Sequence, residues 1–223
     1  MPTHIEKPKQ PRLTATQINA WRPVPCAVAA DHLGSMAHVD PRIRPIRALG
    51  SEGRLIGNAV TAWCEPGDYG PVHHAIDIAE AGDVIVIAAD GRSDAAMIGE
   101  LLSTAARHKG ISGVIVDGAV RDVATLSEWP DFHVYTRWIT SRGPSSMERG
   151  VADGPVVFGG ISVHPRDLVI GDDDGLVIVP NGLVETKIKA CIERVEAEIV
   201  WEHELASGKS TLEVFKVPAA SRS

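Results

Sequence analysis

The sequence predicts an α/β fold in one domain, and three consecutive segments carry this prediction. Residues 83–89 form a continuous apolar run rich in β-branched side chains, which is typical of a strand buried on both faces. Residues 99–109 place apolar side chains on one helical stripe, and residues 113–117 form a second apolar run. A strand, a helix and a strand in this order predict a parallel βαβ unit with a right-handed crossover.

The rest of the chain is predicted to form mainly short strands, with one long helix near its end. From Val184 to about residue 206, apolar residues recur at helical spacing, and Gly208 is the expected stop. We expect the short strands at residues 132–140, 156–158, 161–163, 168–170 and 176–179.

No linker, internal repeat or low-complexity block divides the chain, so we expect a single domain over residues 13–206. Residues 1–12 are rich in Pro and Lys and are predicted to form a flexible arm. Residues 207–223 are mostly small or polar and are predicted to form a C-terminal tail. The apolar side chains of this tail are candidates for docking on a partner subunit: Leu212, Val214, Phe215 and Val217.

Composition limits the classes of partner and compartment. The 223 residues include 22 Lys and Arg against 29 Asp and Glu, and the formal net charge of −7 argues against a nucleic-acid-binding surface. The three cysteines are far apart and form no CxxC pair, which argues against a disulfide framework or zinc ribbon and favours a reducing compartment. No apolar run is long enough for a membrane and the polar start lacks a secretory signal, so we expect a cytoplasmic protein.

The geometry of the βαβ unit predicts where a ligand binds. A helix over residues 99–109 rises roughly 16 Å, and the strand 113–117 returns by about the same length. The start of the helix and the loop after the second strand therefore lie at the carboxyl edge of the sheet, where open α/β sheets bind their ligands. This edge brings together Gly99–Leu102 and Gly118–Asp122.

These two segments contain groups suited to one reaction. Free backbone N–H groups at a helix start bind a carboxylate, and Arg121 offers a planar fork of donors for a carboxylate or an enolate oxygen. Glu100 and Asp122 are hard oxygen ligands that suit Mg²⁺ or Mn²⁺. A metal and an arginine on one 2-oxo acid stabilise an enolate. The same Arg-Asp pair is, taken alone, also typical of a surface ion pair or a helix cap.

Other polar clusters have simpler structural interpretations. His73 and His74 are candidates for a metal pair, but adjacent histidines point in different directions on a helix, so we expect a cap or surface role. His164 precedes Pro165 and is likewise expected to be structural. The acidic segment 172–175 is a candidate for cation binding, but it lies between two predicted strands, where Asp-Gly is typical of a hairpin turn, so we expect a turn.

Nucleophile-based and nucleotide-based reactions have little support. Cys64 lacks an evident histidine base and is predicted to be buried. Lys109 and Lys187 fall at helical positions predicted to be exposed, which disfavours a lysine-dependent aldolase. Neither GxGxxG nor GxxxxGK[ST] occurs, which removes support for nucleotide-dependent enzymes, including methyl transfer through a Rossmann fold.

The motifs at the predicted edge resemble the active-site signature of the RraA-like aldolase family. The likeness lies in Gly99-Glu-Leu-Leu102, in the twenty residues between Glu100 and Arg121, and in Val116-Asp-Gly-Ala-Val-Arg-Asp122. Segments 81–86 and 171–180 are also similar, so the resemblance covers roughly residues 25–205. The best-known enzymes of the family are the class II 4-hydroxy-4-methyl-2-oxoglutarate / 4-carboxy-4-hydroxy-2-oxoadipate aldolases.

The resemblance implies a role for each motif residue. The backbone of Gly99, Glu100, Leu101 and Leu102 would hold the pyruvyl carboxylate. Arg121 would contact the substrate oxygens and help set the protonation of a nearby water, and Asp122 would hold a divalent metal largely through a water shell, with Mg²⁺ expected and Mn²⁺ as the alternative. Glu100 stands where these aldolases usually carry Asp, which keeps the charge and lengthens the side chain by one methylene.

The resemblance also implies an architecture and an assembly. The family fold is similar to a compact α/β sandwich of the swivelling phosphohistidine type, assembled as a homotrimer or a homohexamer. A further Glu is expected from the C-terminal helix of a neighbouring subunit. The sequence leaves four candidates for it: Glu193, Glu196, Glu198 and Glu202.

Two functions follow as hypotheses. The first is a metal-dependent lyase that cleaves a 4-hydroxy-2-oxo acid to pyruvate and decarboxylates oxaloacetate, since both cleavages leave the same enolate. The second is a non-catalytic regulator, because the family also resembles a protein that binds and inhibits a ribonuclease. The intact set of Glu100, Arg121 and Asp122 favours the enzyme.

Overall fold

A computed structural model describes residues 2–50 and 53–221, and it is a mixed α/β fold built on one large sheet. The strands are β1 (His4–Ile5), β2 (Arg44–Pro45), β3 (Leu55–Cys64), β4 (Val84–Ala88), β5 (Ala96–Ile98), β6 (Gly113–Val120), β7 (His133–Ile139), β8 (Gly150–Ala152), β9 (Val156–Phe158), β10 (Ile161–Val163), β11 (Leu168–Asp172) and β12 (Gly175–Val179). The helices are α1 (Ala15–Trp21), α2 (Cys26–Leu33), α3 (Gly70–Ile78), α4 (Glu100–His108), α5 (Val123–Ser127), α6 (Val184–Ala206) and α7 (Thr211–Val214).

The centre of the sheet is parallel, as the βαβ pattern predicts. β3, β4, β6 and β7 lie side by side in that order, and each pair of neighbours is parallel. β4 is buried along its whole length, and α4 connects it, after the short strand β5, to the parallel strand β6. Both the strand–helix–strand unit and its position in the sheet interior are confirmed.

β3 is the long strand that the sequence analysis did not predict. Gly57, Asn58 and Thr61 interrupt its apolar run, which hides the strand pattern. The two polar side chains are satisfied by distant backbone, since Asn58 Oδ1 accepts from the amide of Leu13 at 2.8 Å and Thr61 Oγ1 donates to the carbonyl of Gly154 at 2.5 Å. Buried polar groups cost little free energy when they are hydrogen-bonded in this way.

β6 extends three residues beyond the predicted end at Asp117. The carboxylate of Asp117 is buried, and it accepts hydrogen bonds from Arg137 Nε at 2.7 Å and from the amide of Gly159 at 2.8 Å. This pairing allows a charged residue to lie inside a buried strand, because a buried charge is tolerated when it is paired and hydrogen-bonded.

An antiparallel hairpin extends the sheet beyond β3. β11 pairs with β3 and with β12, and Asp172 lies opposite Gly175, so the predicted hairpin turn at these residues is confirmed. The turn also holds the segment before β3 in place, because Asp173 accepts hydrogen bonds from the amides of Leu49 and Gly50 at 2.7 and 2.9 Å.

Helices cover the sheet in two groups. α3 and α4 pack on one face of the parallel strands, whereas α1, α2 and α6 enclose the hairpin β11–β12. α6 has the predicted bounds; its first half is anchored by Val184 and Cys191, and its second half exposes Ile199 and Val200.

The two terminal segments also contain regular structure where the structure describes them. β1 adds a parallel strand beside β8, and α7 folds back on α6, with the rings of Phe215 and Trp201 at 5.4 Å. Within residues 2–50 and 53–221, no helix is long and apolar enough to cross a membrane. The arm and tail boundaries at residues 12 and 207 and the likeness to the swivelling fold stay predictions.

Candidate active site

The start of α4 and the residues after β6 meet at the carboxyl edge of the parallel strands. The amide of Arg121 donates to the carbonyl of Ile98 at 3.2 Å, and the amide of Glu100 donates to Asp122 Oδ2 at 3.0 Å. Asp122 therefore caps α4 from outside the helix, since its carboxylate satisfies one of the amides that a helix start leaves free. The structure thus brings together the two motif segments that sequence reasoning placed at one edge.

A glycine is required where the two segments touch. A Cβ at position 99 would lie 2.7 Å from Cγ of Arg121 and even closer to Asp122 Oδ2, so no other side chain fits without displacing both residues. Asp122 itself has φ of 59°, in the left-handed region that Asp and Asn tolerate better than most residues. The backbone conformation at 122 and the missing side chain at 99 together set how closely the Arg-Asp pair approaches α4.

The Arg121–Asp122 pair is open to solvent and only partly engaged. Nε of Arg121 lies 3.5 Å from Asp122 Oδ2, and the side chains of Arg121 and Asp122 are 43% and 41% exposed. Within the described part of the chain, no group donates a hydrogen bond to the second carboxylate oxygen, Oδ1, of Asp122. Both side chains therefore retain hydrogen-bonding and coordinating capacity for a ligand.

The first turn of α4 offers further donors. The amides of Leu101 and Leu102 lie in the first turn, where a helix supplies no internal acceptor, and Leu101 is 82% exposed. Glu100 lies on the outer side of this turn, and its carboxylate accepts from the hydroxyl of Thr125 at 3.3 Å. The aligned peptide dipoles of the helix add positive potential at this end.

Two adjoining cavities share Arg121 and Leu101. The outer cavity, of about 390 Å³, is lined by Glu100 and Asp122 and by residues 139–141 after β7. The inner cavity, of about 260 Å³, runs from Gly99 and Arg121 towards α3. Its remaining lining residues come from three segments: Tyr69, His73, Ala96, Met97, Ile98, Leu102, Gly143 and Pro144.

Sequence reasoning missed the inner wall of the site. His73 is exposed, as its predicted surface role requires, but it also lines the inner cavity, with its ring 4.9 Å from that of Tyr69. Gly143 was not singled out either, yet a Cβ there would lie 2.7 Å from a terminal nitrogen of Arg121. Residue spacing carries no signal for either residue, because both reach the site through the tertiary fold.

The remaining candidates lie away from the two cavities. His164 faces Asp167 with Nδ1 3.9 Å from the carboxylate, and Cys64 is buried as predicted. Lys109 is exposed as predicted, and its Nζ donates to the carbonyl oxygens of Ile76 and Asp77 at the far end of α3. The four acidic candidates of α6 do not line either cavity of their own subunit: Glu193, Glu196, Glu198 and Glu202.

A divalent cation fits this site only if it keeps most of its water ligands. Among the described residues, no cluster of three or more His, Cys, Asp and Glu side chains is placed to hold a metal. Mg²⁺, however, keeps several waters and is commonly bound through one or two carboxylates. The half-exposed carboxylate of Asp122, with Oδ1 free of protein donors in the described ranges, meets that requirement.

Comparisons with known proteins agree with the fold. A protein of Halalkalibacterium halodurans named "Putative 4-hydroxy-4-methyl-2-oxoglutarate aldolase" is 31% identical over 172 residues, which are 77% of this chain and 80% of the relative. The crystal structure of an uncharacterized protein from Pseudomonas syringae superposes with a TM-score of 0.80 at 23% identity, covering 92% of this chain and 99% of that one. The structure of RraA, an RNA-processing inhibitor from Thermus thermophilis, gives 0.60 at 27% identity over 70% and 92% of the two chains.

The family model described as RraA-like, Aldolase/RraA, matches residues 26–178, a span that contains the start of α4, the end of β6 and the inner-cavity wall. Because this match covers more than half of the chain and includes the whole candidate site, the protein belongs to the RraA-like family.

Proposed function

We propose that this protein is a divalent-metal-dependent carbon–carbon lyase that releases pyruvate from a 4-hydroxy-2-oxo acid. The single observation that carries the proposal is the meeting of Arg121, Asp122 and the first turn of α4 in one solvent-open site. 4-Hydroxy-4-methyl-2-oxoglutarate and 4-carboxy-4-hydroxy-2-oxoadipate are the proposed substrates, and the name of the Halalkalibacterium relative supports the former. Oxaloacetate decarboxylation is proposed as a second activity, because it leaves the same enolate.

The chain supplies the groups that bind a 2-oxo acid. The amides of Leu101 and Leu102 hold the carboxylate at the positive end of α4. Arg121 lines both cavities and reaches the 2-oxo oxygen with its planar donors. With the carboxylate and the 2-oxo oxygen held in this way, we place C3 and C4 of the substrate in the inner cavity, which is also lined by His73 of α3 and by Gly143 and Pro144.

Two residues handle the charge that develops when the C3–C4 bond breaks. Arg121 stabilises the enolate oxygen, since its charge is fixed and its donors are already in place beside α4. Asp122 holds the divalent cation, Mg²⁺ or alternatively Mn²⁺, with Glu100 as a second acidic group facing the outer cavity. When bound there, the cation supplies Lewis-acid charge for the 2-oxo group.

The proposal includes assembly into a homotrimer or a homohexamer in the cytoplasm. The second half of α6 exposes Ile199 and Val200, and the site exposes Leu101 and Ile139. A neighbouring α6 that covers the outer cavity would bring one of its glutamates to the site and bury these apolar side chains together. Apolar side chains are buried favourably at about 25 cal/mol per Å².

Pyruvate release, coupled to lactate dehydrogenase, tests the proposal with oxaloacetate and with 4-hydroxy-4-methyl-2-oxoglutarate as substrates. We expect release with Mg²⁺, loss with EDTA, and a loss of at least about a hundredfold in Asp122→Ala, because the metal and the helix cap are both affected. Asp131→Ala is the matched control, since Asp131 also forms an exposed pair with an arginine, Arg107, outside both cavities. Equal activity of the Asp122 variant and the control would refute the metal site.

A non-catalytic regulator that binds a ribonuclease is the second candidate. The exposed apolar pair of Leu101 and Ile139 beside the site favours a protein contact there, and the Thermus RraA relative is described as an RNA-processing inhibitor. A pull-down that recovers a ribonuclease, combined with no metal-dependent pyruvate release, would reverse the order of the two candidates.

A further inference from the structure

The inner cavity contains one side chain that titrates near neutral pH. The ionisable groups of its lining are Tyr69, His73 and Arg121, and only an imidazole ordinarily exchanges a proton between about pH 5 and 8. The acidic residues of the motif, Glu100 and Asp122, line the outer cavity instead. The inner cavity is thus lined by a positively charged side chain, Arg121, and by a proton acceptor, His73.

The loop of residues 140–149, between β7 and β8, contacts both Arg121 and the segment that leads into α3. Gly143 lies against a terminal nitrogen of Arg121, so the loop touches the guanidinium at its first residues. The amides of Ser145 and Ser146 donate to the carbonyl of Gly67 at 2.9 and 3.1 Å, and the amide of Tyr69 donates to Ser146.

The end of this loop, at Glu148, is hydrogen-bonded to Asp68, just before α3. Asp68 is fully buried, and its carboxylate accepts from the amides of Gly70 and Glu148 at 2.9 and 3.2 Å. His73 follows in the first turns of α3. The same loop packs on Arg121 and on the segment that begins α3. The position of His73 relative to Arg121 is therefore set by this loop as well as by α3 itself.

The surroundings of His73 favour its neutral form. Although the side chain is exposed, its partial desolvation lowers the pKa of His73, and the charge of the adjacent His74 lowers it further. The ring of Tyr69 lies edge-on to the imidazole, and the described residues that line the cavity include no Asp or Glu, so no carboxylate of the lining favours the imidazolium. A neutral imidazole accepts a proton at neutral pH, as a general base requires.

We propose that His73 is the proton carrier of the aldol cleavage, acting on the C4 hydroxyl and then on C3 of the substrate. This inference rests on the proposed lyase function and assigns its general base to a residue outside the Glu100, Arg121 and Asp122 motif.

The proposed step balances within the substrate and one side chain. The imidazole of His73 takes the proton of the C4 hydroxyl, the C4–O bond becomes a carbonyl, and the C3–C4 bond breaks. The electron pair of that bond forms the enolate of pyruvate, whose oxygen faces Arg121. The imidazolium then returns its proton to C3, which gives pyruvate and the free carbonyl product. Oxaloacetate has no C4 hydroxyl. Its cleavage releases carbon dioxide directly from a carboxylate, so it does not need this deprotonation.

This difference gives a sharp test in which the two activities are measured on one protein. We expect His73→Gln to lower kcat for aldol cleavage about a hundredfold, within the usual 10²–10⁴-fold contribution of a general base. Decarboxylation falls by much less, so the ratio of aldol cleavage to decarboxylation drops at least about tenfold, and the acid limb of the aldolase pH profile disappears.

His74→Gln is the matched control, because His74 is exposed on the same helix and does not line the inner cavity. It should retain both activities. A proportional fall of both activities in His73→Gln, or no change in either, overturns the inference and leaves the lyase function standing. Wild-type protein that lacks both activities refutes the lyase function itself, and the inference with it.

A binding measurement supplies a readout that does not depend on turnover. The Cε1–H signal of His73, identified by its absence in His73→Gln, should shift when pyruvate and Mg²⁺ are added. The signal of His164, which lines a separate cavity beside the N-terminal arm, should not shift. An unchanged His73 signal in the presence of bound pyruvate contradicts the proposed position of the imidazole.

Discussion

Two arginine–aspartate pairs of this molecule have the same chemistry but opposite surroundings. Arg166 and Asp153 are 9% and 5% exposed and form a bidentate pair, with N–O distances of 2.8 and 2.7 Å. Arg121 and Asp122 are each more than 40% exposed and approach at one point only, at 3.5 Å. Both pairs include left-handed residues, with φ of 76° at Arg166, 57° at Asp153 and 59° at Asp122.

The difference shows how the same residue types serve structure at one place and chemistry at another. The buried pair lies against β3, where the amide of Arg166 donates to Ala59 and that of Asp153 donates to Thr61. The charged side chains satisfy each other, so the pair holds the turns that contain Asp153 and Arg166 against β3. The exposed pair keeps free donors and a free carboxylate oxygen, and such groups are what a charged ligand needs.

The largest expected effect comes from breaking the buried pair. Arg166→Ala leaves the carboxylate of Asp153 buried without its partner, and removing one member of such a pair costs about 3–5 kcal/mol of stability. Urea denaturation followed by circular dichroism measures this loss.

Asp131→Ala is the comparison variant for this stability measurement. It removes an exposed partner of Arg107 and should cost less than about 1 kcal/mol. Equal urea midpoints for Arg166→Ala and Asp131→Ala would mean that the buried pair Arg166–Asp153 contributes no more to stability than the exposed pair Arg107–Asp131.

The second effect comes from the exposed pair and appears in activity rather than stability. Arg121→Lys keeps the charge but loses the planar fork, so we expect kcat/KM for pyruvate release to fall about a hundredfold, which is about 2.7 kcal/mol of transition-state stabilisation. The urea midpoint should change little, because exposed pairs contribute about 0–1 kcal/mol. Near-normal turnover in Arg121→Lys would show that a point charge is sufficient at this position.

The smallest effect tests how closely the exposed pair must approach α4. Gly99→Ala introduces a Cβ 2.7 Å from Cγ of Arg121, which pushes the pair away from the helix start. We expect kcat/KM to fall about tenfold, or about 1.4 kcal/mol. Gly182→Ala is the matched control, because a Cβ there meets no atom within 4 Å, and it should leave kcat/KM unchanged. An equal kcat/KM in the two alanine variants would show that the close approach of Arg121 and Asp122 to α4 is not needed for activity.

The sequence predicted the exposed pair far better than its surroundings. The apolar runs at β4 and β6 and the stripe of α4 report local burial, and the parallel crossover then forces Gly99 and Asp122 to one edge. The predicted start of α4 is confirmed, whereas its cap by Asp122, which accepts from the amide of Glu100 at 3.0 Å, was not predicted. Glu100 was placed correctly on that turn, but its contact with Thr125 was not foreseen.

Other features escaped because their cause lies far away along the chain. β3 was missed since its polar residues find partners in distant segments, such as Leu13 for Asn58. Asp117 was expected to end a strand, whereas Arg137 and Gly159 allow the strand to continue. In both cases a long-range hydrogen bond offsets the cost of burying a polar group, and no local pattern encodes such a bond.

The sequence by itself thus determined the α/β class, the parallel βαβ unit, the family resemblance and the motif at the carboxyl edge. It did so because periodicity fixes which face of an element is buried, and a crossover of fixed hand fixes where its ends lie. Only the tertiary structure decided that His73 shares a cavity with Arg121 and that Gly143 packs on the guanidinium. The loop bonded to Gly67 and Asp68 sets that arrangement, and periodicity cannot report which distant segment packs opposite a given face.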